Sequence, residues 1–215
     1  MGTAFSLQRG SLPTSNELSV IEQIRLDITT VYEKEKHEEL MRIFYSLAIS
    51  PDESQYRPQD PCWKLIGFQN EDPVSDIRGG GILSLRCLIY FFEKRSAIAK
   101  DMINRRSDRT DGANYPIAAA GINVCRMLAI LFEAIKPTGQ SKGIEHSHKL
   151  YWHILNEESS FYRLFVIAFR ILDDQFDELT ATYMDFPNVI NATREKFIRL
   201  LENAKTIDAI ETQLK

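Results

Sequence analysis

Between Trp63 and Gly81 the chain reads Trp-Lys-Leu-Ile-Gly-Phe-Gln-Asn-Glu-Asp-Pro-Val-Ser-Asp-Ile-Arg-Gly-Gly-Gly, which sets one arginine, Arg78, in a glycine-rich stretch between two apolar helical patterns. A guanidinium stays charged at any working pH and offers five N–H donors in a rigid planar fork, a shape suited to carboxylate or phosphate oxygens. Pro73 and the successive glycines Gly79, Gly80 and Gly81 force a turn and leave the backbone open, so little there can shield the arginine. Glu71, Asp72 and Asp76 are also near enough to tie Arg78 down within its own loop, and that purely structural reading stands beside the chemical one.

The run from Trp63 to Phe91 resembles the signature of ELMO-domain proteins, Trp-x3-Gly-Phe-Gln-x3-Pro-x-Thr-Asp-Phe-Arg-Gly-x-Gly-x3-Leu-x2-Leu-x-Tyr-Phe. Trp63, Gly67, Phe68, Gln69, Pro73, Asp76, Arg78, Gly79, Gly81, Leu85, Leu88, Tyr90 and Phe91 stand at matching spacing, while Ser75 replaces threonine and Ile77 replaces phenylalanine. A second patch, Tyr115 to Val124, is similar to a downstream segment of that family. The resemblance implies an all-helical domain that activates Arf-family or Arf-like small GTPases, with Arg78 as the group entering the GTP site. A branch of the family lacking this arginine acts instead as a scaffold for an exchange factor, so the alternative is a non-catalytic adaptor that binds a GTPase or an exchange-factor partner. On the first reading Gly79 and Gly81 let the backbone approach the partner, and Asp76 caps the next turn or orients the guanidinium. Gln69 contacts the partner or hydrogen-bonds the loop, and Trp63, Phe68, Pro73, Tyr90 and Phe91 anchor it. No cofactor is expected of the chain itself, since GTP and magnesium would belong to the partner, and no independent catalytic activity is expected either.

Composition sets outer bounds. The 215 residues, 44% hydrophobic, suit one domain with a sizeable core. With 30 acidic against 26 basic residues the net charge is −4, and the pI near 5.7 is unlike that of a nucleic-acid binder. No apolar run reaches the roughly 18 residues of a membrane span, so the expected location is cytoplasmic, with membrane contact only peripheral and through the partner. Gly2 and Ser6 fit a myristoylation pattern, which short sequences also match by chance. Cys62, Cys87 and Cys125 lack metal spacing and read as free thiols. His146, His148 and His153 miss the spacing of a helical metal pair, so no metal site is expected.

The elements that must hold the arginine follow from apolar periodicity. Residues 1–13 read as a flexible tail and residues 14–215 as the helical domain. Thr14 and Glu17 form a candidate capping box ahead of Leu18, Ile21, Ile24, Ile28 and Val31. The charged run Glu33 to Glu39 either continues that helix or marks a bend, before a stripe that Pro51 stops. Asp60-Pro61 starts a short helix ending at Gly67. Ile82 to Lys94 is apolar on nearly all sides and reads as a central buried helix behind the loop. Further helices are expected at 96–106, from Tyr115-Pro116 to Ile135, at 146–156, from Phe161 to Tyr183, and from Pro187 or Asn188 to Leu214. Arg105, Arg106 and Arg109 read as solvated loop charge, and Asp173, Asp174, Asp177 and Glu178 as a solvated helix face. The fold class is all-α, a single non-symmetric bundle of about seven to nine helices.

Overall fold

Thr14 starts the first helix, α1 (Ser15–Thr29), by the reciprocal cap read from the sequence. Its Oγ1 accepts the Glu17 N–H at 3.2 Å, and the Glu17 carboxylate accepts the Thr14 N–H at 2.8 Å. This computed structural model describes residues 13–107, 112, 114–140 and 151–213. Residues 1–12 of the tail expected at 1–13, the Gly2 pattern, Arg109, His146 and His148 lie outside the described residues.

The charged run marks a bend, not a continuation: α1 stops at Thr30, and α2 (Lys34–Ala48) begins after the Glu33 N–H donates to His37 Nδ1 at 2.9 Å. The segment before the arginine forms two single turns, α3 (Cys62–Leu65) and α4 (Val74–Ile77). Then come α5 (Gly81–Lys94), α6 (Ser96–Ser107), α7 (Ile117–Leu131), α8 (Ser160–Glu178), α9 (Phe186–Asn203) and α10 (Ile207–Gln213). The fold is all-α, and no β-strand occurs among the described residues. The last expected helix is two, because Ala204 turns extended and Thr206 Oγ1 accepts the Ala209 N–H to start α10. That split and the extra single turn α4 bring the described α-helices to ten, while the helix expected at 146–156 is only a single 3₁₀ turn, Trp152–Ile154, among its described residues. No helix among the described residues is long and apolar enough to cross a membrane.

As its apolar circumference requires, α5 sits at the centre, packed against α1, α2, α7 and α8, with Leu85, Cys87, Leu88 and Phe91 fully buried. An aromatic cluster closes one end of the core. Trp63 lies with its ring centre 5.8 Å from Phe68, 6.3 Å from Phe44 and 5.7 Å from Tyr45, and its indole N–H donates to the Arg57 carbonyl at 3.0 Å.

Two charge assignments are corrected by the packing. Arg105 and Arg106 lie on α6, not in a loop, and Arg106 is 1% exposed. Its Nε donates to Asp173 Oδ1 at 2.7 Å and its Nη1 to Asp177 Oδ1 at 2.9 Å, while the guanidinium lies over the rings of Tyr115 and Phe176. Asp173 is therefore no solvated residue. It is 4% exposed and accepts from Arg106, from Arg105 at 2.6 Å and from the Tyr115 hydroxyl at 2.8 Å. Burial, then the Asp173 carboxylate beside it, pushes the Tyr115 phenol well above its ordinary pKa. A desolvated carboxylate is tolerable only when its oxygens are satisfied this fully, and α6, the entry to α7 and α8 are fastened at that point.

Candidate functional site

The arginine loop is built by local rules on both sides. Asp60 Oδ1 accepts the Cys62 N–H at 2.9 Å and starts α3, which delivers Trp63 to the core. Gly67, at φ +87°, then turns the chain against α7, and a Cβ there would stand 2.1 Å from the Ile117 nitrogen. This approach lets the carbonyls of Ile66 and Gly67 accept the N–H groups of Ala118 and Ala119, first-turn donors of α7 that have no partner within their own helix. Pro73, buried, opens α4, with Asp72 Oδ1 accepting the Val74 N–H at 3.0 Å. Ile77 is fully buried and plugs the loop into the core where the family signature has phenylalanine. Ser75 keeps the hydroxyl of the expected threonine and donates to the Asp72 carbonyl at 2.9 Å.

Arg78 caps the single turn α4 in ordinary right-handed geometry, φ −50° and ψ −29°, and is exposed. Its side chain makes no hydrogen bond or ion pair with any described residue. Each acid placed to restrain it is engaged elsewhere. Asp76 Oδ2 accepts the Gln69 N–H at 2.7 Å, Asp72 caps α4, and Glu71 faces Lys64 Nζ at 3.4 Å. Asp76 therefore fastens the loop to the Phe68–Gln69 strand of chain and leaves the guanidinium its full set of donors.

Beyond Arg78 the chain enters the core at Gly81. With φ +56° and a would-be Cβ 2.4 Å from the Ile28 carbonyl oxygen and 2.5 Å from that of Asp27, Gly81 seats the start of α5 on the end of α1. The Ile82 N–H donates to the Thr30 carbonyl at 3.0 Å in the same seam. The close approach Gly81 permits is thus to this chain's own α1, and it is buried, whereas Gly79 is exposed. Tyr90 and Phe91 anchor from behind: Phe91 is fully buried, and Tyr90 stacks on Tyr162 with ring centres 5.5 Å apart.

Two features of this face have no signal in the sequence. Arg126, on α7, donates to the Gly79 carbonyl at 3.4 Å and to the Pro137 carbonyl at 3.3 Å. The side chain of Gln69 faces a groove of about 300 Å³ shared with Ala119, Asn123, Met184 and Pro187. Met184 lines the groove and is 82% exposed. Gln69 links this apolar groove to the arginine loop, since its N–H is held by Asp76. Among the described residues no three His, Cys, Asp or Glu side chains are grouped to hold a metal ion.

Comparison with known proteins agrees with the signature. "ELMO domain-containing protein C" of Dictyostelium discoideum is 27% identical over 198 residues, covering 88% of this chain and 31% of that protein. Human "ELMO domain-containing protein 2" is 30% identical over 199 residues, 84% of this chain and 59% of the relative. Mouse "Engulfment and cell motility protein 3" is 25% identical over 141 residues, 65% of this chain and 19% of the relative. The chain thus spans under two thirds of the length of each. The pattern of the ELMO/CED-12 family matches residues 22–190, which is most of the helical bundle and the whole arginine loop, and the chain belongs to that family.

Proposed function

We propose that this chain is a GTPase-activating protein for an Arf-family or Arf-like small GTPase, into whose GTP site it inserts Arg78. In GTP hydrolysis negative charge builds on the transferring phosphoryl group and on the leaving oxygen, and a cation supplied from outside lowers that barrier. An arginine so placed is worth about 10³ to 10⁵ in rate, roughly 4 to 7 kcal/mol. The water-positioning glutamine of such reactions belongs to the GTPase, so Gln69 takes no chemical role here and supports the loop through its backbone. The observation that carries the reading is the state of Arg78: exposed, with all three neighbouring acids engaged by other groups. The groove around Gln69 and Met184 supplies apolar anchorage on the segment that Asp76 ties to the loop.

The test is single-turnover hydrolysis by Arf and Arf-like proteins loaded with GTP, with catalytic amounts of this chain. The expected result is acceleration by the native chain, none by Arg78→Ala, and little by Arg78→Lys, because an ammonium cannot bridge two oxygens as a planar fork does. Equal rates for the native and Arg78→Ala chains would overturn the proposal and leave a binding module that uses the groove alone.

A further inference from the structure

We infer that Arg126 is the positioning residue of the Arg78 loop, a guanidinium bridge that sets where the activating arginine points. The inference rests on the reading of Arg78 given above. The loop is tied at its start, where Asp76 takes the Gln69 N–H, and at its end, where the Ile82 N–H reaches Thr30. Between those ties the backbone bonds are all local: the Arg78 N–H reaches the Val74 carbonyl at 3.3 Å, and the Gly79 and Gly80 N–H groups reach Asp76 and Ile77 at 3.0 Å, so none of them joins the loop to another element. The Ser84 N–H goes to Gly80 and that of Ile82 to Thr30, so the start of α5 leaves the Gly79 carbonyl to Arg126. That carbonyl lies one peptide beyond the plane that joins Arg78 to Gly79, so holding it limits the swing of the short segment that carries the arginine.

The other end of the bridge is equally defined. Arg126 Nη2 reaches the Pro137 carbonyl at 3.3 Å, in a turn closed by Gly139 N–H to Lys136 and Lys136 N–H to Gln140, each at 2.8 Å. Gly139 holds φ +85°, which favours glycine and shapes the turn, and a Cβ there would stand in ordinary contact with Arg126 Nη2 at 3.5 Å. Two carbonyls in different loops are spanned by one rigid fork, which a lysine's single ammonium cannot reproduce. Both contacts are long and solvent-exposed, so the bridge adds little to global stability and acts on the aim of the loop.

The experiment compares native, Arg126→Gln, Arg126→Lys and Arg78→Ala chains by thermal melting, by amide hydrogen exchange at Gly79 and Gly80, and by stimulated single-turnover hydrolysis. The expected result for Arg126→Gln is an unchanged melting point, faster exchange at both amides, and a stimulated rate lower by about 10- to 100-fold, the usual scale for an ångström of misplacement. Half-saturating concentrations should stay within about twofold, since the groove is untouched, and Arg126→Lys should recover the rate only in part. Arg78→Ala should lose the rate with native exchange. Native exchange or a native rate in Arg126→Gln would overturn the inference. If the native chain accelerates no GTPase, the reading of Arg78 falls, and the exchange comparison alone still decides whether Arg126 orders the loop.

Discussion

Replacing Gly81 and Gly79 by alanine, one at a time, should give opposite results although both belong to the same signature. A Cβ on Gly81 would be placed 2.4 Å from the Ile28 carbonyl oxygen and 2.5 Å from that of Asp27, roughly an ångström inside contact distance. The obstacle is helix backbone at the end of α1, which cannot swing aside as a side-chain tip would. The residue also holds φ at +56°, where an L-residue is strained by about 1 to 2 kcal/mol. Adding the roughly 1 to 3 kcal/mol usual for overpacking gives a loss of about 2 to 5 kcal/mol. For a domain of this size that is a fall of about 4 to 20 °C in the melting midpoint, at roughly 2 to 4 °C per kcal/mol. At Gly79 the nearest atoms to a Cβ are the Asp76 carbonyl oxygen at 3.4 Å and Ile122 Cγ2 at 3.5 Å, which is ordinary contact. Its φ lies outside the left-handed region, so alanine should be neutral or stabilise by up to about 1 kcal/mol through the unfolded chain. Differential scanning calorimetry on both variants reads the contrast directly. Equal midpoints would refute the argument that Gly81 is dictated by the seam between α1 and α5.

Two further outcomes follow from the charged groups. Arg106→Ala should cost about 3 to 5 kcal/mol in urea unfolding, because it strips the buried Asp173 of its main partner. Adding Asp173→Ala should cost less than the sum of the two single changes, whereas strict additivity would deny the coupling. Asp60 offers a pH test: its hydrogen bonds from Cys62, the backbone N–H first, hold its carboxyl below the ordinary carboxylate range. A group whose pKa is lowered by folding contributes stability above its unfolded pKa and loses it as pH falls through the folded value. Native chain should therefore melt higher than Asp60→Asn at neutral pH, with the gap closing as pH falls below about 4. A gap that widens on acidification would contradict the assignment.

What could be read from the sequence was whatever depends on neighbours within a few turns. The α1 cap needed only Thr14 and Glu17, and the burial of α5 needed only its own apolar run. Trp63 and Phe68 as plugs followed from size and position. Features that failed to show depend on residues distant in sequence or on a stop without its usual residue. Asp173 has the composition of a solvated face until α6 and Tyr115 are laid against it. The helix α8 ends where Thr180 adopts φ +50°, with neither glycine nor proline to announce the stop. Arg126 is one polar position among the apolar turns of α7, and only the return of residues 136–140 gives it two carbonyls to join. The freedom of Arg78 was the least legible, because it depends on where three nearby acids turn, and each turned toward a backbone or lysine donor.

The Asp173 hub also constrains the order in which the molecule assembles. Its donors at positions 105, 106 and 115 precede it by 68, 67 and 58 residues, separations over which loop closure must be completed before any contact rewards it. While a ribosome is still elongating through the residues before 173, the guanidinium of Arg106 has no Asp173 to neutralise it and must remain hydrated. The Thr30 and Gln69 braces of the arginine loop draw on segments already synthesised by then. The ties of the arginine loop to Thr30 and Gln69 can thus form before those that join Asp173 to α6 and Tyr115.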